Sequence, residues 1–427
     1  MTIPQLYDYF RTCTGVSTDT RQIKEGCLFV ALRGDKFDGN GYAKDALEKG
    51  AKYAIVDNSD VVVDNRYLLV ENSLEALQQL AAYHRKQLSI PVIGLTGSNG
   101  KTTTKELIAA VLSKKFRTYA TKGNLNNHIG VPLTLLAIDE TYEIAVVEMG
   151  ANHQKEIALL SSIAQPTHGL ITNVGKAHLE GFGGVEGVKR GKGELYDWLI
   201  ESGGTVFVNG INATLVEMAD QRSFSKRITY LAGIESPILL EDSPLVIYQD
   251  VEGNLVQTHL MGRYNFENIA VALAIGNYFG VPNDLANEAV ADYNPTNNRS
   301  QIIQKGDNTI IMDAYNANPS SMSAAIENFG RLKAERKMVI LGDMLELGEE
   351  SPEEHLALGK LVAQQQFDVV ILAGKLMQDA LPALPKAYYF PDKFSLHNWI
   401  VDHPQKNTYV LIKGSRGMGL ETVVPYL

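Results

Sequence analysis

Lys101 and Thr102 follow a glycine-containing turn in the run IGLTGSNGKTTT at residues 93–104. A lysine and a hydroxyl residue at the end of such a loop are the groups a polyphosphate needs. Gly97 and Gly100 let the backbone turn sharply and approach a ligand. The N–H groups from Ser98 and Asn99 through Thr102 and Thr103 can then point at phosphate oxygens, with a helix N-terminus behind them. The helix end supplies only about 0.3 to 1 kcal/mol toward an anion. Lys101 and a metal therefore carry most of the charge neutralisation, with the Thr102 hydroxyl turned to Mg²⁺. The spacing is a variant of G-x-x-x-x-G-K-[ST], because Leu95 stands where the first glycine is expected. The competing reading is a glycine turn with an incidental lysine. The agreement of strand, glycines, Lys-Thr and helix favours a phosphate loop.

The elements that must position these residues read as follows. An apolar run at 90–93 predicts a strand before the loop. Leu107, Ile108, Val111 and Leu112 on one face predict a helix over 105–116. Runs at 143–147 and 168–172 read as buried strands, each followed by polar and glycine residues, EMGAN at 148–152 and NVGKAH at 173–178. Ligands on parallel sheets sit beyond the carboxyl ends of the strands, so Glu148 and His178 should face whatever Lys101 and Thr102 bind. Taken singly, Glu148 could be a solvated strand end and His178 a hydrogen-bonded loop histidine.

Before the loop, 27–32 and 53–56 read as strands, and 41–49 and 73–87 as helices. Two polar clusters, Ser17-Thr18-Asp19-Thr20-Arg21 and residues 33–39, are either turns or ligand contacts. A Pro and Asn cluster at 293–298 marks a second boundary. Beyond it, strands are predicted at 308–312, 338–341, 369–372 and 409–412, with Met322, Ile326 and Phe329 on one helical face. The expected architecture is α/β in three domains. Residues 1–88 form the first, 89–296 a central P-loop domain of mostly parallel sheet, and 297–427 a Rossmann-like C-terminal domain.

The length of 427 residues suits several cores, and 45% apolar with 21% charged residues suits a soluble globular chain. A net charge of −10 argues against general affinity for nucleic acid or anionic membrane. Cys13 and Cys27 show neither zinc spacing nor a disulfide framework. Residues 1–13 lack the basic start and apolar core of a secretion signal, and no apolar run approaches a membrane span. A cytoplasmic protein is expected.

Together these motifs resemble the Mur ligases, ATP-dependent enzymes that extend the peptide stem of the bacterial cell-wall precursor. The likeness spans essentially the whole chain. TGSNGKTTT is similar to the family's ATP loop, and Glu148-Met149-Gly150 and NVGKAHLE at 173–180 resemble its next two blocks. GKGE at 191–194 is similar to the segment bearing its carbamylated lysine. DAYNANP at 313–319, LGDMLELG at 341–348 and KGSR at 413–416 resemble the branch that adds D-alanyl-D-alanine. The Asp-Asn-Pro-Arg motif of many diaminopimelate-adding relatives is missing from the sequence.

The resemblance implies that ATP phosphorylates a substrate carboxylate and that an incoming amine attacks the acyl phosphate. It places one Mg²⁺ on Thr102 and Glu148 and a second on His178 and a carbamate at Lys192. Lys101, Glu148, His178 and Lys192 would be the catalytic set. On residue type alone, Lys192 would be a surface cation beside Lys189 and Arg190. Asn265 and Asn268 would contact adenine, with Tyr264 where the family commonly has histidine. Asn265 could instead cap the helix that follows. Arg299 and Asp313 would reach phosphate and ribose. Ser17 to Arg21, with Asn126 and Asn127, would hold UDP-N-acetylmuramoyl-tripeptide, and Lys413 and Arg416 the D-alanyl-D-alanine carboxylate, unless KGSR is a surface turn. A monomer is expected. Rivals are another amide ligase of the superfamily, such as folylpolyglutamate synthase or a different stem-peptide ligase, and a P-loop ATPase switch module.

Overall fold

The computed structural model describes residues 1–233 and 236–427. Its centre is a six-stranded, wholly parallel sheet. From edge to edge the strands are Lys226–Tyr230, Thr205–Asn209, His168–Ile171, Val92–Thr96, Ile144–Glu148 and Thr118–Ala120. Val92–Thr96, Ile144–Glu148 and Thr205–Asn209 are buried at every position. That is why they read as continuous apolar runs rather than alternating ones. From Val92–Thr96 the chain goes first to the Thr118–Ala120 edge, returns to Ile144–Glu148, then crosses to His168–Ile171 on the other side. The phosphate loop therefore leaves the sheet at the point where strand order reverses, where a crevice opens.

Two boundaries differ from the sequence reading. The strand begins at Val92 rather than at residue 90, and it continues through Gly94 to Thr96. Gly94 keeps it flat against its neighbours, since a Cβ there would stand 2.9 Å from both Met149 and Pro166. The helix begins at Lys101 and ends at Ser113. Its first turn is Lys-Thr-Thr-Thr, a poor helix start by propensity. Tertiary contacts override that, because Thr102, Thr103 and Thr104 are all buried and Thr104 Oγ1 donates to Asn268 Oδ1 at 3.0 Å.

A four-stranded parallel sheet, Val16–Ser17, Leu28–Val30, Tyr53–Val56 and Tyr67–Leu69, forms the N-terminal part. Its helix Ser73–Gln87 docks it onto the central part. Arg85 is 6% exposed and donates to the carbonyls of Ala164, Gln165 and Leu88. His84 Nε2 donates to Ile138 O, Gln78 to His128 O, and Gln165 Nε2 to Ala82 O. A three-stranded antiparallel sheet, Ile238–Glu241, Ile247–Gln249 and Leu255–Gln257, was not anticipated. Beyond residue 300 lies a second six-stranded sheet, ordered Gln301–Lys305, Asn308–Asp313, Tyr409–Lys413, Lys337–Gly342, Val369–Ala373 and Tyr388–Phe390. Only Gln301–Lys305 runs antiparallel to its neighbour. The fold is α/β, with a parallel central sheet and a separate C-terminal sheet. Among the described residues no helix is long and apolar enough to cross a membrane, and Cys13 and Cys27 are free thiols.

His168 opens its strand against Tyr278 and Phe279, with ring centroids 5.3 and 5.0 Å away. Burial, with Lys226 nearby, pulls its imidazole down to about 4. The unfolded chain, whose histidine titrates near about 6.5, thus takes up more protons between those values. Stability from this group is complete above about pH 6.5 and is lost as pH falls toward 4. Thermal unfolding from pH 7.5 to 4 should show a shallower acid loss for His168→Gln than for the parent. Parallel curves would remove His168 as a cause.

Candidate active site

Gly97 carries a φ of +150° and Gly100 one of +77°. A Cβ at Gly97 would lie 1.9 Å from Thr172 Oγ1, which donates to Asn99 O at 2.6 Å. Asn173 Oδ1 accepts from the Asn99 N–H, and Ser98 N–H donates to Asn173 O. The loop is thus laced to the end of the neighbouring strand before any ligand arrives. Lys101 Nζ folds back onto Gly97 O at 2.7 Å and Ser98 O at 3.2 Å. Desolvation, with help from Arg299 and opposed by Glu148, brings its ammonium down to about 8.

Glu148 ends the adjacent strand in register with Leu95, which sets its side chain beside the first turn of the phosphate-loop helix. It is 1% exposed. Oε1 accepts from Thr102 Oγ1 at 3.2 Å and from Asn126 Nδ2 at 2.8 Å, whereas Oε2 is buried without a hydrogen-bond partner. An unpartnered carboxylate oxygen beside a threonine hydroxyl suits a hard divalent cation. Mg²⁺ typically takes one or two carboxylates and fills its remaining positions with water and phosphate. Among the described residues no group of three or more His, Cys, Asp or Glu side chains could hold a metal by itself. Such a cation would therefore depend on ligand oxygens.

His178, at φ +52°, precedes the short helix Leu179–Phe182. Its Nδ1 lies against Glu346, which reaches over from the C-terminal part. Burial lowers its basicity, opposed by Glu346 and reinforced by Lys101 and Lys192. Lys192 corrects the residue-type reading of a surface cation. It faces inward from the helix Val185–Glu201, is 1% exposed, donates to Ala151 O at 3.1 Å, and lies 4.9 Å from the Phe182 ring centroid. Burial and the charge of Lys101 push its ammonium well below the ordinary lysine value. A buried lysine held toward the neutral amine is the form that reacts with carbon dioxide.

A cavity of about 740 Å³ gathers most of the candidate residues. It is lined by Ser98 to Thr103, Asn126, Asn127, Glu148, His178, Asn265, Asn268, Arg299, Asp313 and Lys413. Asn265 does not cap the helix Arg263–Tyr278. Gly262 occupies that place at φ +87°, while Asn265 donates to Met261 O and accepts from Asn268 Nδ2. Asn268 in turn lies 2.9 Å from where a Cβ on Gly100 would be. Arg299 stacks on Tyr315 with 3.6 Å between guanidinium carbon and ring centroid, and its Nε is buried and unpartnered. Asp313 accepts from Ser300 N–H and from Lys413 Nζ, the latter at 2.6 Å.

Lys413 is no surface residue. At 2% exposed it ends the strand Tyr409–Lys413. Arg416 does sit on an exposed turn, donating to Tyr315 Oη. Lys192 lies behind Ala151 rather than on the cavity surface. The Ser17 to Arg21 cluster does not line the cavity. Asp19 there caps a short turn, and Arg21 holds its carboxyl at about 2.

Three family models match, described as the Mur ligase family catalytic domain over residues 12–85, the Mur ligase middle domain over 95–276, and the Mur ligase glutamate ligase domain over 298–416. The UDP-N-acetylmuramoyl-tripeptide–D-alanyl-D-alanine ligase of Bacillus subtilis is 37% identical over 430 residues, spanning 96% of this chain and 92% of that protein. The chain belongs to the Mur ligase family. The ligase of the same name from Escherichia coli is 35% identical, across 97% of this chain and 93% of its own length. A crystal structure of MurF from Acinetobacter baumannii superposes with a TM-score of 0.86 at 31% identity, covering 99% of this chain and 98% of that one. MurF from Thermotoga maritima, crystallised with ADP, gives 0.85 at 28%, covering 98% and 97%.

Several residues in and beside this Mur ligase cavity had no role in the sequence reading. Asn318 Nδ2 donates to Asn99 Oδ1 at 2.8 Å, and Ser320 Oγ accepts the Lys176 N–H. Tyr315 and Asn316 also line the cavity. All but Ser320 belong to the DAYNANP motif, so the signal was present. What Asn318 and Ser320 touch was not, because Asn99 and Lys176 lie 219 and 144 residues away. Gly97→Ala must displace Thr172 and adopt a backbone angle that alanine disfavours. Calorimetry with ADP as probe should find binding weakened about ten-fold or more. Unchanged affinity would show that the loop does not need this close approach.

Proposed function

We propose that this chain joins D-alanyl-D-alanine to UDP-N-acetylmuramoyl-tripeptide, converting ATP to ADP and phosphate and giving the UDP-muramoyl-pentapeptide precursor of peptidoglycan. The observation that carries the reading is near-full-length identity to ligases of that name, in a chain whose phosphate loop, Glu148 and C-terminal residues share one cavity. An oxygen of the tripeptide carboxylate attacks the γ-phosphorus, and the bond to the ADP oxygen breaks. The dipeptide amine then attacks the acyl carbon, phosphate leaves with the bonding pair, and the amine gives up a proton. A terminal amine titrates near about 7.7 to 8.0, so no strong base is required.

In the first step two anions meet, and cations must screen both. On this reading Lys101 and Arg299, which line the same cavity, do so. Thr102 and Glu148 would hold a Mg²⁺, which would supply further positive charge toward the phosphates. A second ion would use His178 and a carbamate on Lys192, whose buried amine is suited to that modification. Asn265 and Asn268 are assigned to adenine, Asp313 to ribose, and Lys413 and Arg416 to the dipeptide carboxylate. Ser17 to Arg21 with Asn126 and Asn127 take the UDP-sugar-peptide. On this reading residues 1–88 bind the UDP substrate, 89–296 bind ATP and 297–427 bind the dipeptide, in a cytoplasmic monomer.

Phosphate release from ATP should require UDP-N-acetylmuramoyl-tripeptide, and a pentapeptide product should form with D-alanyl-D-alanine but not with D-alanine alone. Release without the nucleotide sugar would overturn the ligase reading in favour of an ATPase module. Lys192→Ala should abolish activity and regain part of it with a short carboxylic acid. Full activity without additive would take Lys192 out of the site.

A further inference from the structure

Lys105 is buried beside the proposed cation site and has no task in the mechanism above. It is 3% exposed, with Nζ 3.9 Å from Glu148 Oε2 and 3.7 Å from Glu106 Oε1. Both distances exceed the roughly 2.7 to 2.9 Å of a charge-assisted hydrogen bond. Glu106 is already engaged, accepting from Tyr293 Oη and, through both oxygens, from Asn297 Nδ2. Glu148 Oε2 has no hydrogen-bond partner at all. Lys105 therefore compensates the charge of Glu148 from a distance without occupying its lone pairs. An ion pair built for stability alone would close onto that oxygen, since a buried carboxylate gains most from a direct bond.

We propose that Lys105 is a positioning residue that stands off Glu148 and leaves its Oε2 open, and that its charge sets the affinity of the divalent cation. The proposal rests on Glu148 being a cation ligand. Without metal, Lys105 and Lys101 supply the positive charge that a nearly fully buried carboxylate needs. Beside a cation held on Glu148, Lys105 would supply a repulsion that limits how tightly the site holds it. Glu106, fixed by Tyr293 and Asn297 of the second boundary segment, keeps Lys105 at its stand-off.

The test is Mn²⁺ binding followed by electron paramagnetic resonance of the free ion, in the presence of ADP, with thermal unfolding of the metal-free protein alongside. Lys105→Met should bind Mn²⁺ about ten-fold more tightly and unfold at a lower temperature without metal. Lys105→Arg, which keeps the charge, should stay close to the parent in both. Lys105→Gln serves if the methionine variant does not fold. Unchanged or weaker Mn²⁺ binding in the neutral variant, with only its melting temperature lowered, would reduce Lys105 to a structural cation and overturn the proposal. Glu148→Gln should lose the Mn²⁺ site. If it binds like the parent, the assignment of Glu148 fails, an outcome separate from the failure of Lys105.

Discussion

Mutual repulsion between a carboxylate and a polyphosphate is the constraint around which this cavity is arranged. Lys101, Arg299 and Lys413 line the cavity, Lys105 stands beside Glu148, and Lys192 lies behind Ala151. Burial, reinforced by neighbouring cations, lowers the proton affinities of Lys101 and Lys192. Glu148 is the counterweight, placed where anions and cations both need it. A site like this is unsatisfied by design in the absence of ligand. The buried, unpartnered Glu148 Oε2 and Arg299 Nε are its visible sign.

The central sheet turns that electrostatic demand into geometry. Because Val92–Thr96 lies between Ile144–Glu148 and His168–Ile171, the residues following all three strands converge on one crevice. Loop residues hold one another there. Thr172 and Asn173 fasten Asn99, and Asn318 fastens it again from the C-terminal part. Asn268 supports the loop from below through Thr104.

What could be read from the residues alone followed the range of the interactions. Gly97, Gly100, Lys101 and Thr102 were legible because a phosphate loop is local, and the buried strands because both faces of a parallel strand are apolar. The helix start at Lys101 was missed because three threonines argue against it, and contacts distant in sequence, Thr102 to Glu148 and Thr104 to Asn268, reverse them. Lys192 sits in a run with Lys189 and Arg190, and nothing in that run tells which of the three turns inward. The antiparallel strands between 238 and 257 are short and partly exposed, which leaves little pattern to detect.

The helix Ser73–Gln87 has a role beyond packing. Arg85, His84 and Gln78 tie it to backbone carbonyls of the central part, and Gln165 answers in the opposite direction. Those bonds join the first sheet to the second as a single frame. With the sugar-nucleotide assigned to one end of that frame and the γ-phosphate to the other, the span between them is a fixed length. Under that assignment the frame would act as a caliper. A stem one residue too short would leave its carboxylate outside the jaws, and one too long would buckle between them, so stem length would be measured by the body of the protein rather than by any pocket for a side chain.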